Sequence, residues 1–185
     1  SAALYMSKIQ GMIQLAARIY KSPKDILTEV NRRIYEGMER KSFITMILAL
    51  FDFESKEVTI CRAGHNKPIF KTNGNLRFLD SEGMGLGLEA GKTFDENLKE
   101  SIINLNGSGF FMFYSDGLTE MMNSKFHEFG EERLMNFLKE NFHLNAEDIK
   151  VKLLNEIDAF RENAEQNDDL TFVIVKLENV NASQV

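Results

Sequence analysis

Two acidic positions lie at the ends of apolar runs, where their carboxylates could bind a metal ion. Asp116 and Gly117 follow an apolar run that ends at Tyr114. Asp168 and Asp169 come directly before a second apolar run. A carboxylate at the rim of a core strand is costly to desolvate unless it is paired or bound to metal. The same residues are also typical of an Asp-Gly turn and an Asn-Asp-Asp loop, so spacing alone leaves both interpretations open.

The type of ligand favours particular metals. The chain has one cysteine and three histidines, so a metal site at these positions would use carboxylate oxygens. Oxygen ligands favour Mg²⁺ or Mn²⁺ over Zn²⁺ or Cu²⁺. Two such ions about 4 Å apart can generate a hydroxide nucleophile and offset the charge of a phosphate group. If these residues do bind metal, the chemistry of such a site would be phosphoester hydrolysis.

A glycine-rich segment from Gly83 to Leu88 is a second candidate, in this case for phosphate binding. The residues from Leu86 to Thr93 read LGLEAGKT, and Leu86 stands where a P-loop requires its first glycine. Gly85 and Gly87 also fit part of a dinucleotide fingerprint. We predict a strand rather than a helix after this segment, which would remove the helix N-terminus that both phosphate sites use. Nucleotide binding is therefore not expected here.

His65 lies at a predicted strand end in the sequence Ala-Gly-His-Asn. One interpretation is a general acid or a neighbour of the metal. The alternative is a loop histidine that forms a hydrogen bond with the backbone, which is the commoner situation. His127 and His143 lie in polar surroundings, and we assign no role to them.

Composition limits the class of protein. The 185 residues carry a net charge of −6, which argues against a nucleic-acid-binding protein. One cysteine, Cys61, excludes an intrachain disulfide framework and a multi-cysteine zinc site. The longest apolar run, Met46 to Phe51, is far shorter than the ~18 residues that span a bilayer. We find no signal-peptide pattern, so the sequence predicts a soluble, cytoplasmic protein without membrane contact.

The spacing of the apolar residues predicts two helices, a series of strands, two further helices and a last strand. The helices are expected up to Tyr20, from Pro23 to Met38, from Gly130 to Asn141, and after the Asn145 cap as far as Phe160. The strands are expected at Phe43–Phe51, Val58–Arg62, Ile69–Lys71, Leu76–Leu79, Thr93–Leu98, Ile102–Leu105, Phe110–Tyr114 and Leu170–Leu177.

Three of these strands are apolar on both faces, so their sheets need cover on both sides. The three are Phe43–Phe51, Phe110–Tyr114 and Leu170–Leu177. Hairpin connections imply mostly antiparallel pairing, and strands and helices do not alternate as a parallel sheet requires. We therefore predict an α+β fold, an αββα layered sandwich with the helices outside and two sheets inside.

Four segments, taken together, resemble a known family. They are the N-terminal SAALYM, CRAGHNKPIF from Cys61, GFFMFYSDGLTEMMN from Gly109 with FGEERL behind it, and NDDLTFVIVK from Asn167. In this order and spacing they resemble the SpoIIE-type, RsbU-like bacterial branch of the protein phosphatase 2C-like, metal-dependent serine/threonine phosphatases. The resemblance covers residues 1–178 as one domain, and we expect residues 179–185 to be a disordered tail.

The resemblance implies roles for particular residues. The family's metal-binding aspartates correspond to Asp116 and Asp168, which would be the catalytic pair. Gly117 and Asp169 would complete the metal site, for two Mn²⁺ or Mg²⁺ ions in the intact domain. His65 corresponds to a position whose role we expect to be structural or on the substrate side. The family usually has proline where Gly85 stands, a departure that should loosen the loop without touching the metal ligands.

The family also places an Asp-x-x-Gly-x-Gly segment directly before the helix that begins Ala-Ala-Leu, and its aspartate bridges both metals. This chain starts after that position, so we expect the first strands of the sandwich to be missing. We also expect a sensor or regulatory domain upstream, and weak metal binding by the chain as given.

The resemblance implies hydrolysis of phosphoserine or phosphothreonine in a protein, with an anti-sigma-factor antagonist as the expected substrate. The alternative is a catalytically inactive, phosphatase-like module that binds a partner for regulation. Both aspartates are present, which favours the enzyme for the parent protein. The missing upstream segment favours inactivity for this chain.

Overall fold

The computed structural model describes residues 2–37, 42–105, 107–166 and 168–178. The chain forms two compact units. The first unit comprises Ser1–His65 and Asp80–Asn104, and the second comprises Asn66–Leu79 and Leu105–Val185.

Within the described residues, the helices are α1 (Ala2–Ile19), α2 (Pro23–Tyr35), α3 (Lys92–Asn97), α4 (Asp116–Thr119), α5 (Gly130–Asn141) and α6 (Ala146–Arg161). The strands are β1 (Met46–Asp52), β2 (Glu57–Ala63), β3 (Ile69–Lys71), β4 (Arg77–Phe78), β5 (Glu100–Asn104), β6 (Gly109–Tyr114) and β7 (Phe172–Leu177).

The first unit is built on an antiparallel sheet with the strand order β1-β2-β5. Helix α2 packs against α1 and against strands β1 and β2. It begins at Ser22, whose side chain accepts a hydrogen bond from the Asp25 amide, and Pro23 occupies its first turn. The buried core of this unit consists of Ile9, Ala16, Ile26, Leu27, Val30, Ile34, Cys61, Ala63, Leu86, Phe94 and Leu98.

The second unit contains an antiparallel sheet with the order β4-β3-β6-β7. Its central strand β6 is buried at every position except the half-buried Phe113. Helix α6 packs against β7 and begins at Asn145, which accepts a hydrogen bond from the Asp148 amide. The buried core consists of Ile69, Leu76, Phe110, Met112, Tyr114, Leu118, Met121, Phe129, Leu134, Met135, Leu138, Ile149, Leu153 and Ile157.

The predicted fold class is confirmed, since helices combine with antiparallel sheets in both units. The caps at Ser22 and Asn145 and the α5 bounds agree with the sequence. The hairpin predicted around Asn73-Gly74 is also present, because β3 pairs with β4 and Gly74 has a φ of 73°. These features depend on local signals, which the sequence carries directly.

Two strands that we expected to be buried on both faces are not. β1 begins at Met46 rather than Phe43, and Leu50 on it is 46% exposed. β7 begins at Phe172 rather than Leu170, and Val173 is 54% exposed. Both strands lie at an edge of their sheets. Apolar residues on both alternations therefore failed to predict burial, because burial also depends on whether a neighbouring element covers the strand.

The strand predicted at Thr93–Leu98 is wrong, because these residues belong to helix α3 and its C-cap. Phe94 and Leu98 are both fully buried and lie four residues apart, the spacing of one helical turn. The strand preference of Thr and Phe misled the prediction. The absence of a helix after the glycine-rich segment was one reason against nucleotide binding, and α3 shows that this reason was wrong.

In the part of the chain that the structure describes, none of the helices is both long enough and apolar enough to cross a membrane. The predicted tail, residues 179–185, lies outside the described residues, as does Met38 at the predicted end of the second helix.

Candidate metal site

The two acidic segments lie at the same end of neighbouring strands. Strands β6 and β7 are antiparallel, and the last pair of their ladder is Tyr114 with Phe172. Asp116 follows β6 by two residues beyond that pair, and Asp169 precedes β7. The antiparallel register therefore brings the residues after β6 beside the residues before β7.

Hydrogen bonds extend this pairing beyond the ladder. The Ser115 amide donates to the Thr171 carbonyl oxygen at 2.9 Å, and the Thr171 amide donates to Ser115 Oγ at 3.2 Å. The Ser115 hydroxyl lies 3.3 Å from the Thr171 carbonyl oxygen and 3.4 Å from the Asp169 carbonyl oxygen, and it can donate its one proton to either. Ser115 thus holds the two acidic segments together from the side of β6.

Gly117 lies where these segments touch, and it is buried. A Cβ atom at this position would stand 2.4 Å from the Asp169 carbonyl oxygen and 3.5 Å from Asp168 Cβ. The first distance is far below an ordinary van der Waals contact, so a side chain at 117 would push the segments apart. The absence of a side chain is what lets Asp116 and the Asp168–Asp169 pair approach each other.

The carboxylates of Asp116, Asp168 and Asp169 all remain exposed at this end of the strands, which we call the acidic rim. Asp116 begins the short helix α4, and its Oδ1 accepts a hydrogen bond from the Gly117 amide at 3.0 Å. Asp168 Oδ1 accepts one from the Asp169 amide at 2.7 Å. Each of these two side chains is oriented by its own backbone while staying accessible to solvent.

The donor type fits a hard divalent cation, because the rim offers carboxylate and carbonyl oxygens. The number of ligands falls short, since the described residues include no group of three or more His, Cys, Asp or Glu side chains placed to hold a metal. The structure brings the backbone of Gly117, next to Asp116, against Asp168 and Asp169, but the three carboxylates do not converge as one three-ligand group. A further ligand is needed before they form a complete site.

His65 lies in the first unit, at the end of β2. Its Nδ1 is 3.0 Å from Thr45 Oγ1, and its carbonyl oxygen accepts a hydrogen bond from Arg62 Nη1 at 2.6 Å. The acidic residues all lie in the second unit. His65 is therefore positioned by its own unit's loops.

The glycine-rich segment, which belongs to the first unit, is held by hydrogen bonds to other parts of that unit. The amide and carbonyl of the fully buried Leu86 both bond to Ile44, and the Gly87 amide donates to Asn31 Oδ1 at 2.8 Å. Asn31 Nδ2 in turn donates to the Glu89 carbonyl at 2.9 Å. A P-loop needs its amides for phosphate, whereas the amides of Leu86 and Gly87 are used internally.

Sequence reasoning missed two residues that shape this segment. Arg62 Nε donates to the Ser81 carbonyl at 3.0 Å, and the same guanidinium holds the His65 carbonyl. Asn31 is 1% exposed and lies four residues after the buried Leu27 in α2. A polar residue on the apolar stripe of a helix was the available signal for Asn31. No comparable signal marks Arg62.

The family model described as "Stage II sporulation protein E (SpoIIE)" matches residues 1–178. The chain belongs to the SpoIIE family. The resemblance predicted from the four sequence segments is thereby confirmed.

A similar curated protein is the phosphoserine phosphatase RsbU of Bacillus subtilis, which is 28% identical over 119 residues, covering 64% of this chain and 35% of RsbU. The chain thus spans about a third of the length of this relative.

Solved structures of similar fold include the SiaA-PP2C domain of Pseudomonas aeruginosa, with a TM-score of 0.81 at 14% identity, covering 95% of this chain and 69% of that one. Another is the Mn-presoaked phosphatase domain of SpoIIE from Bacillus subtilis, with a TM-score of 0.61 at 14% identity, covering 92% and 74%. These likenesses show that the fold is of the protein phosphatase 2C type.

Proposed function

We propose that this chain is the greater part of a metal-dependent protein phosphatase domain, spanning residues 1–178, that hydrolyses phosphoserine or phosphothreonine esters. The observation that supports the proposal is the close approach of the Gly117 backbone to Asp168 and Asp169, next to Asp116, with all three carboxylates exposed. Family membership supports the reaction class, because RsbU is described as a phosphoserine phosphatase.

Asp116, Asp168 and Asp169 would hold the metal, with Gly117 keeping their backbones close. Bound Mn²⁺ or Mg²⁺ would supply an activated water for attack on phosphorus and would offset the charge of the phosphoryl group. The chain's own contribution is orientation. The hydrogen bonds of Ser115 and Thr171 fix the two strand ends, and exposure of the carboxylates leaves room for a phosphate ester.

Charge argues for one more carboxylate. Three aspartates carry about three negative charges, whereas two divalent ions carry four positive charges that repel each other strongly at short range. The family resemblance implies that an aspartate in an Asp-x-x-Gly-x-Gly segment bridges the two ions. We therefore expect this chain by itself to bind at least one of the ions weakly.

The substrate class is part of the proposal. We expect a serine-phosphorylated protein of the anti-sigma-factor antagonist type, in the cytoplasm, with a sensor or regulatory domain upstream in the parent protein. The net charge of −6 gives no reason to expect nucleic acid as a partner.

The test compares this chain with an extended chain, in which the family's N-terminal strands and Asp-x-x-Gly-x-Gly segment precede Ala2. Mn²⁺ affinity is measured by calorimetry, and turnover with nitrophenyl phosphate and a phosphoserine peptide. We expect weak binding and negligible turnover for this chain, and activity for the extended chain. Full activity of this chain alone would contradict the need for a fourth carboxylate.

A second candidate function is an inactive module that binds a partner. The observation that favours it is the lack of a complete three-ligand cluster among the described residues. It takes precedence over the phosphatase proposal if the extended chain binds Mn²⁺ weakly and hydrolyses neither substrate.

A further inference from the structure

Residues 121–129 form a hairpin-like loop directly after α4, the short helix that begins with Asp116. The Phe129 amide donates to the Met121 carbonyl at 2.8 Å and closes its base. Met121 and Phe129 are 3% and 2% exposed and belong to the core of the second unit. The base of the hairpin is therefore fixed to the same core that supports the acidic rim.

The tip is a tight turn held by several hydrogen bonds. The Phe126 amide donates to the Asn123 carbonyl, and the Asn123 amide donates to the His127 carbonyl, both at 3.0 Å. Asn123 Oδ1 accepts from the amides of Lys125 and His127, also at 3.0 Å. The Ser124 hydroxyl donates to the Glu162 carboxylate just after α6. The turn is thus held by its backbone, by a side chain and by a tertiary contact.

Phe126 has a backbone conformation that glycine normally adopts in this kind of turn. Its φ is 60°. A three-residue hairpin loop commonly consists of a type I turn followed by a left-handed residue, and glycine fills that position without steric cost. An aromatic residue there is strained. Such strain persists only where the surroundings enforce it, and it clusters at ligand-binding segments.

The ring of Phe126 is also exposed to an unusual degree. Its exposed fraction is 83%, the highest among the large apolar side chains of the described residues. The ring therefore contributes little burial to offset the strain of its backbone. Neither burial of the ring nor the backbone conformation favours phenylalanine at this position. Contact with another molecule would account for both the exposed ring and the strained backbone.

Phe126 lies ten residues after Asp116 in the sequence, on a hairpin that follows α4 almost directly. One residue separates the end of α4 at Thr119 from the hairpin base at Met121. At about 3.3 Å per residue, three-residue arms raise the tip about 10 Å above the base. A protein contact of about 800 Å² per partner is wide enough to include both the rim and the tip.

We propose that Phe126, carried on a backbone that hydrogen bonds hold in place, is an aromatic anchor that contacts apolar groups of the phosphoprotein substrate beside the phosphorylated residue, with the exposed Lys125 next to it. The proposal rests on the phosphatase function proposed above. An aromatic side chain has few rotatable bonds, and a backbone that is fixed before binding loses little conformational freedom, so such a residue is an effective contact. The anchor determines protein substrate preference and takes no part in the chemistry.

The first experiment uses the extended chain with Phe126→Gly, and Phe53→Ala as the matched control because Phe53 is 62% exposed on a turn of the first unit. We expect Phe126→Gly to melt at the same or a higher temperature, because glycine relieves the strain. Its kcat/KM should fall about tenfold, mainly through KM, for a serine-phosphorylated anti-sigma-factor antagonist and for phosphocasein. Nitrophenyl phosphate turnover should be unchanged.

The second experiment measures binding without turnover and uses the 185-residue chain without the N-terminal extension. It contains no tryptophan, so Phe126→Trp introduces a single fluorescent reporter. Titration with either phosphoprotein should shift the emission to the blue as the ring leaves water, whereas Phe53→Trp should not respond.

Some outcomes would overturn the anchor alone. These are an unchanged KM in Phe126→Gly with active wild type, or no emission shift at protein concentrations that half-saturate turnover. Turnover of nitrophenyl phosphate without turnover of either protein would overturn both the anchor and the protein substrate class. Loss of all turnover in the extended wild type, with an emission shift retained, would overturn the phosphatase function and leave Phe126 as a contact of a binding module.

Discussion

Gly83 in the first unit and Gly117 in the second each lie so close to a backbone carbonyl that no side chain would fit. A Cβ would stand 1.5 Å from the Arg62 oxygen at Gly83 and 2.4 Å from the Asp169 oxygen at Gly117. Around Gly83, the neighbouring polar groups are used in hydrogen bonds with Arg62 and Asn31. Around Gly117, three carboxylates stay exposed.

The two glycines therefore differ in their surroundings: Gly83 lies among hydrogen-bonded groups, and Gly117 lies beside exposed charge. Close approach of backbones serves packing in both regions, so the contact by itself does not mark a ligand site. What distinguishes the Gly117 region is charge left accessible beside the contact. The glycine-rich segment has the more suggestive sequence, but its amides at Leu86 and Gly87 already have partners.

The largest expected effect tests the accessible charge directly. Asp116→Asn in the extended chain should lower Mn²⁺-dependent turnover by more than about 100-fold, since even residues that only support metal ligands cost 10–100-fold. The melting temperature should stay unchanged, because Asp116 is exposed. Asp95→Asn in α3 of the first unit is the matched control. If Asp116→Asn retains turnover, Asp116 is not a metal ligand, and the exposed charge beside Gly117 does not mark a metal site.

The two glycines can be compared by the same substitution. Gly83→Ala should destabilise the protein by about 3 kcal/mol, because the Arg62 backbone must move. Gly117→Ala should cost about 2 kcal/mol and also weaken Mn²⁺ binding, because it separates the acidic segments. Denaturant unfolding and calorimetry measure the two effects. Equal Mn²⁺ affinity in the two variants would contradict the distinction.

Removing the clamp on the glycine-rich segment should affect stability alone. Asn31→Ala leaves the Gly87 amide and the Glu89 carbonyl without their side-chain partner, at a cost of about 2 kcal/mol. Asn97→Ala, which removes an exposed bond to the Thr93 carbonyl, should cost less than about 0.5 kcal/mol. Mn²⁺ affinity should be unchanged in both. A clear loss of affinity in Asn31→Ala would assign the segment a role in the metal site.

Alkaline pH should destabilise both units through buried acids. Burial, then the Glu100 charge, raises the pKa of Cys61 to about 12, with Lys24 opposing, and burial and Glu131 raise the pKa of Tyr114. The folded protein thus favours the protonated forms. This stability is present below the unfolded pKa values, and it is lost as pH rises from about 9 towards 12.

The loss approaches about 1.4 kcal/mol per pH unit for each group once its unfolded form has ionised. Urea unfolding at pH 7.5 and 10.5 should therefore show a smaller alkaline loss for Cys61→Ala, by on the order of 2 kcal/mol. An identical loss in variant and wild type would show that the thiol does not contribute.

The smallest expected effect is none. ATP should leave the melting temperature unchanged, whereas a ligand at 100 times its dissociation constant would add ~2.7 kcal/mol of stability. Mn²⁺ should raise the melting temperature of the extended chain. A rise with ATP would mean that the glycine-rich segment binds nucleotide despite its internal hydrogen bonds, and would reverse the comparison.

Local signals predicted much of the fold. Ser22 and Asn145 cap helices, and the Asn73-Gly74 turn joins β3 to β4, because each feature depends on neighbouring residues. The exposure of Leu50 on β1 and Val173 on β7 was not predictable from the apolar residues, because it depends on whether another element covers that face of the strand. Helix α3 escaped notice because its six residues carry too little periodicity to outweigh their strand preference.

The same limit applies to the candidate site. The aspartates were predicted from the neighbouring apolar runs and from a family resemblance. The contact at Gly117 was not predictable in this way, because it depends on the register between β6 and β7. Arg62 and Phe126 escaped notice because nothing in their neighbours' identities shows a bond to a distant carbonyl or a positive φ.

The hydrogen bonds between Ser115 and Thr171 determine how long the two acidic segments stay together between local openings. With the bond from the Ser115 hydroxyl to the Asp169 carbonyl, they are the last bonds between the two strand ends in the described residues, so fraying at that point would separate Asp116 from Asp168 while the rest of the sheet stays intact. The Thr171 amide, which donates to Ser115 Oγ, exchanges its proton with solvent only during such openings. Its hydrogen-exchange rate would therefore count how often the rim comes apart, and a bound cation bridging the two segments would slow it.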